Sequence, residues 1–137
     1  MRCFRRDSGQ SLLELAIAMP VLLALLVGIF EFGIAWNRKQ VLTNAAREGA
    51  RLGVLKSAGT TDVENTIDQY LADAGIAPGD VNRTYSGIGS TARTGDTVTV
   101  ALSMNHELAF VGPILGLMGG SFPGAVTLST TVNMRHE

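Results

Sequence analysis

Hydrophobic and polar positions fall into three rhythms along this chain. From Leu12 to Trp36 the residues are apolar on every side of a helix, Leu15 to Phe30 carries no polar side chain, and the formal charges in the run are Glu14 and Glu31. At 1.5 Å per residue, about 25 residues are enough to cross a hydrocarbon core of about 30 Å. A core helix of a soluble protein would keep a polar stripe. The pattern therefore predicts a membrane-spanning helix.

Beyond Trp36 the period stays helical to about Lys56, with Leu42, Ala45, Ala46, Gly49, Ala50, Leu52 and Gly53 recurring at spacings of three and four. Ala45, Gly49 and Gly53 form a stripe of small residues along which another backbone can approach. Packing on the chain's own sheet is preferred to a subunit interface. Arg47, Glu48 and Arg51 point elsewhere, and a local Glu48–Arg51 pair at i,i+3 is the simpler account of those charges. The stretch SAGT, residues 57–60, breaks the helix. Thr61 with Glu64 reads as a capping box for a second one, whose apolar face is Val63, Ile67, Tyr70, Leu71 and Ala74. Gly75 and Pro78 end it, and Asp62, Asp68 and Asp73 are expected in solvent.

After Gly79 the period becomes two. Val81–Ser86 and Thr97–Asn105 read as strands, the second with Val98, Val100, Leu102 and Met104 on one face and turn chemistry at Gly95 and Asp96 just before it. A last strand, Val126–Met134, places Val126, Leu128, Thr130, Val132 and Met134 together. The expected fold is α+β: a long N-terminal membrane-spanning helix continuing into a small domain with a second helix and a roughly three-stranded antiparallel sheet. Between the last two strands, residues 108–124 (LAFVGPILGLMGGSFPG) are apolar but broken by Pro113, Pro123 and glycines. A second span would put the final strand across the membrane from its partners. A packed loop or short helix covering the sheet is preferred to an exposed contact surface.

Charge and composition narrow the classes. The net charge is -1, and removing Arg2, Arg5, Arg6 and Asp7 with the first nine residues leaves 8 basic and 11 acidic side chains, a net of -3. That balance argues against nucleic-acid binding. The one cysteine, Cys3, precedes the span, so the chain beyond it offers no disulfide or thiolate metal site. His106 and His136 fit no metal-ligand spacing, and no nucleophile-elbow, Walker or zinc-protease motif occurs. His106 with Glu107 is an acid/base pair only on paper, because neighbours on a strand face opposite ways; a solvated loop or strand-end role is expected. No catalysis, metal or cofactor is expected.

Arg2, Arg5 and Arg6 before the span outnumber Arg38 and Lys39 after it, which favours a cytoplasmic N-terminus. A secretory signal has a shorter apolar region, of about 7 to 15 residues, and ends at small residues, unlike EFGIAWNRK here. The junction itself reads SGQSLLEL: Gly9, Gln10 and Glu14 join a basic leader to the apolar helix. This resembles the type IV prepilin processing site. The resemblance implies an inner-membrane prepilin peptidase cutting after Gly9, Gln10 as the new N-terminus and Glu14 at the fifth mature position. There Glu14 meets the terminal amine of a neighbouring subunit; without a family, snorkelling to headgroups is the alternative for this carboxylate. Pro20, eleven residues into the mature helix, loosens it locally.

Glu31, Phe32 and Gly33, followed by Asn44 to Arg51 (NAAREGAR), and the closing LSTTVNMRHE are similar to the TadE-like family of the tight-adherence (Tad, or Flp) pilus system. Asn44, Arg47, Glu48 and Arg51 are the polar members of that signature. For Glu31 the readings are a buried contact to a partner helix or an interfacial carboxylate near Trp36 and Arg38.

The expected organisation is a leader over 1–9, the membrane part over 10–36, its continuation over 37–56 and a small α+β domain over 57–137. The expected function is that of a minor pilin or pseudopilin acting in assembly or priming of a Tad/Flp adhesive pilus. The resemblance also implies the inner membrane as its location, a C-terminal domain outside the cytoplasm, and as partners the peptidase, other pilin-like subunits or Tad machinery, and membrane lipid. The alternative is an unprocessed, membrane-anchored binding domain.

Overall fold

A computed structural model describes residues 7–89, 95–117, 119 and 124–136. The elements are α1 (Asp7–Gly53), α2 (Thr60–Asp73), a 3-10 turn at Pro78–Asp80, β1 (Val81–Ser86), β2 (Thr97–Glu107), α3 (Val111–Leu117) and β3 (Ala125–Arg135). The three strands form one antiparallel sheet in the order β1-β2-β3. The class is α+β, with the long helix, second helix and sheet expected from the pattern. Two compact units divide the chain: Met1–Ile34 with Glu107–Gly124, and Ala35–His106 with Ala125–Glu137.

The second unit holds the hydrophobic core. Alternation makes β2 its centre: Val98, Val100, Leu102 and Met104 are all buried, while Thr97 and Asn105 on the other parity are exposed. Antiparallel register pairs Val81 with Met104, Arg83 with Leu102 and Tyr85 with Val100. Leu42, Ala45, Ala46 and Ala50 of α1 join Val63, Ile67 and Leu71 of α2 and Leu128 of β3 in the same core. Each fully buried leucine or isoleucine contributes about 2 kcal/mol of apolar transfer. Across α1 and the edge strand β3, the Thr43 and Thr130 hydroxyls meet at 3.3 Å; the Thr43 proton goes to Lys39 O at 2.9 Å, so Thr130 is the donor.

Several local expectations are corrected. The first helix stops at Gly53, three residues early, where i→i+3 turns such as Leu55 N–H to Leu52 O replace α-helical bonding. α2 begins at Thr60, behind Gly59. Gly59 is the N-cap and donates its N–H to Oδ2 of Asp62, three residues on, at 2.8 Å, so the Thr61/Glu64 box is not used. Only Val63, Ile67 and Leu71, at i,i+4,i+8, face inward; Tyr70 and Ala74 lie on the flank and are exposed. Asp68 is not a free solvent group: its Oδ1 pairs with Arg83 of β1 at 2.6 Å. Burial pushes the nearby Tyr85 phenol above its ordinary range, against the opposing pull of Arg83.

The C-terminus of α2 closes as expected. Gly75 adopts φ +74, with Gly75 N–H donating to Ala72 O and Ile76 N–H to Leu71 O, both at 2.9 Å. These are the two bonds of a Schellman motif, and the buried Ile76 and Leu71 supply its apolar contact. At the end of β1, Gly87 adopts φ +75 and packs so tightly that an added Cβ would overlap the Thr97 carbonyl oxygen. Beyond β3, His136 exchanges backbone bonds with Gly95 and Asp96, each at 2.9 Å.

Among the described residues, the apolar segment after β2 does not run as a loop throughout. It builds α3 and belongs to the unit containing the first part of α1.

Candidate functional site

The candidate site is the surface of α1, which changes character along its length. Over the apolar run the large side chains stand exposed, among them Leu12, Leu13, Leu15, Ile17, Val21, Leu22, Leu25, Leu26, Ile29 and Phe30. An apolar window of the helix Gly9–Gly53 long enough to cross a membrane is entirely unburied. A soluble core helix would be covered by its own chain, so this uncovered apolar surface fits a single-pass membrane anchor. Gly9, Gln10 and Glu14 are exposed at its start, and Pro20 is accommodated inside a helix that continues on both sides.

Glu31 breaks this pattern. It is 4% exposed. Its Oε1 accepts the Phe110 N–H at 2.6 Å and its Oε2 the Val111 N–H at 3.1 Å. The carboxylate thus occupies the first turn of α3, where unpaired N–H groups and the helix dipole favour an anion. Both of these donors belong to its own chain, in the segment that follows β2. Nothing local in the sequence marks Phe110 and Val111 as the recipients; the one signal is a lone carboxylate in an apolar run, with a distant charge-free segment to receive it.

Farther along, the eight residues Asn44 to Arg51 separate into two faces. Ala45, Ala46, Gly49 and Ala50 are buried, and Asn44, Arg47, Glu48 and Arg51 are exposed at i, i+3, i+4 and i+7. The small face packs within the domain. A Cβ on Gly49 would lie 2.6 Å from Ile67 Cδ1, and one on Gly53 would lie 3.1 Å from Val98 Cγ1. The small-residue stripe of Ala45, Gly49 and Gly53 is therefore filled by α2 and β2. On the polar face the expected local pair is missing: among the described residues Arg83–Asp68 is an ion pair, and Glu48 and Arg51 do not form one.

His106 takes a strand-end place, as expected, but not a solvated one. It continues the inward parity of β2, is buried, and its Nδ1 lies 3.2 Å from Arg38 Nη1. Since the guanidinium can only donate, Nδ1 accepts and the ring proton sits on Nε2. His136 is also buried, with Nε2 3.1 Å from the Gly87 carbonyl oxygen, which can only accept. These histidines tie strand ends to their surroundings. No group of three or more His, Cys, Asp or Glu among the described residues could hold a metal ion.

A long exposed apolar helix leading into a small α+β domain fits a single-pass membrane anchor. Residues 9–51 match the family model of TadE-like protein, a stretch lying wholly within α1. Over those residues, about a third of the chain, the sequence is similar to the TadE-like family, which supports a Tad-pilus-associated, pilin-like protein. No curated protein and no solved structure matches the chain.

Proposed function

We propose that the chain is a TadE-like minor pilin or pseudopilin, cut after Gly9 by a prepilin peptidase and acting through association in the assembly or priming of a Tad/Flp-type pilus. It resides in the inner membrane with its N-terminus in the cytoplasm and its α+β domain outside. The observation that carries this reading is Gly9. The family match begins there, yet the fold has no use for a glycine: the residue is helical and exposed, and an added Cβ meets nothing within 4 Å. Glycine in a helix costs about 1 kcal/mol relative to alanine. Recognition by a processing enzyme supplies the missing reason.

Mass spectrometry of the protein purified from cells containing the peptidase should find a chain beginning at Gln10. Gly9→Ala should leave the Met1 terminus intact. An uncut wild-type chain in such cells would count decisively against processing.

Glu14 supports the assembly half of the reading. It stands exposed among Leu13, Ile17 and Ala18, one turn into the apolar surface, where a carboxylate is costly until it meets a cation. The α-amine released at a neighbour's Gln10 is that cation. Glu14→Ala should lower recovery in pili or pilus complexes by about tenfold or more, because it strands the amine in an apolar setting. Membrane insertion should not change. Wild-type recovery of the variant would remove Glu14 from the assembly contact. Arg47, Glu48, Arg51 and Asn44 offer a second, polar surface for other pilin-like subunits or the Tad machinery.

A further inference from the structure

The segment Leu108–Leu117 has three properties that a water-facing loop does not need. It carries no charged or hydrogen-bonding side chain. Its base is closed by the Leu108 N–H donating to the Gly124 carbonyl at 2.9 Å. The amides entering α3 are bound by Glu31, a carboxylate on the apolar helix, at 2.6 and 3.1 Å. A surface loop ordinarily leaves such groups to water.

Inside a bilayer these same features become requirements. Non-helical backbone at membrane depth persists only when its polar groups are satisfied within the protein. A carboxylate inside a span needs donors or a cation. Glu31 and the start of α3 meet each other's need. Glu31 lies five residues before Trp36 in the apolar run, about 7 Å along the helix axis. Around that level Ile29, Phe30, Phe32 and Ile34 are exposed, and Phe110 is 59% exposed in the same compact unit. With seven residues, α3 is far too short to cross.

The geometry points to Leu108–Leu117 as a second membrane contact, dipping beside α1 into the leaflet at the C-terminal end of the span and presenting Phe110 to lipid acyl chains. Lipid is the occupant because this apolar surface continues that of the span and offers no polar side chain to a protein partner. The inference rests on the membrane reading of α1, and its test separates the two.

The full chain is placed in phosphatidylcholine vesicles containing doxyl-labelled lipid. Trp36→Phe removes the single tryptophan. Phe110→Trp then reports on the segment, Phe32→Trp on the span and Tyr70→Trp on the α+β domain. Tryptophans at 32 and 110 should both emit to the blue and lose intensity to the lipid label, whereas that at 70 should respond only to aqueous acrylamide. If position 32 is quenched by lipid but 110 answers to acrylamide, or is shielded from both quenchers as under a protein partner, the segment inference falls and the span stands. If 32 is not quenched by lipid, both fall. Ala109→Cys in a Cys3→Ser chain, carrying a nitroxide, gives an independent readout: collisions with oxygen should exceed those with a water-soluble nickel chelate, and the reverse order would overturn the inference.

Discussion

Replacing Glu31 with alanine is expected to destabilise the start of α3 by about 3 kcal/mol, since two amides lose a charged acceptor and hydrogen bonds of that kind contribute about 1.5 to 3 kcal/mol each. The variant should retain the sheet, because Glu31 and its partners Phe110 and Val111 lie in the unit that does not contain the core. Hydrogen exchange on the full chain in detergent or lipid will read the effect, as faster exchange of the Phe110 and Val111 amides by about a hundredfold. Glu31→Gln keeps one acceptor oxygen and should recover part of the protection. Unchanged exchange in Glu31→Ala would mean that the carboxylate does not hold this segment.

Gly87→Ala should affect the other unit more severely than its size suggests. The substitution forces a side chain into φ +75 and drives its Cβ into the Thr97 carbonyl oxygen, a backbone atom that cannot rotate away. Strain of about 1 to 3 kcal/mol is ordinary for such a backbone conformation, and the clash adds to it. A loss of about 3 kcal/mol would lower the midpoint of thermal unfolding by about 10 to 20 °C for a domain of this size. Circular dichroism of the detergent-solubilised chain will measure it. A shift of only a few degrees would show that the β1–β2 connection can move aside.

What the sequence made legible follows from how far apart the interacting residues lie. Alternation placed β1 at its observed bounds, Val81–Ser86, and identified Val98, Val100, Leu102 and Met104 as the inward face of β2. An uninterrupted apolar run sufficed for the exposed part of α1, because that property belongs to each residue by itself. Short-range competition caused the smaller errors. Thr61 and Glu64 match the capping pattern better than Gly59 and Asp62, but Asp62 reaches the free amide and the glycine needs no side chain to begin the helix. His106 could have been placed by extending the parity of β2 two residues past Met104. Glu31 could not: its two donors are 79 and 80 positions away, and no periodicity encodes that pairing.

The division of Asn44 to Arg51 into buried Ala45, Ala46, Gly49 and Ala50 and exposed Asn44, Arg47, Glu48 and Arg51 bears on how such a protein can diverge. One face is answerable to the interior, where an extra methyl group meets Ile67; the other is answerable only to what the helix encounters from outside. Mutation can therefore rewrite the outward four without repacking the domain. Two lineages could come to recognise different neighbours while inheriting the same folded head.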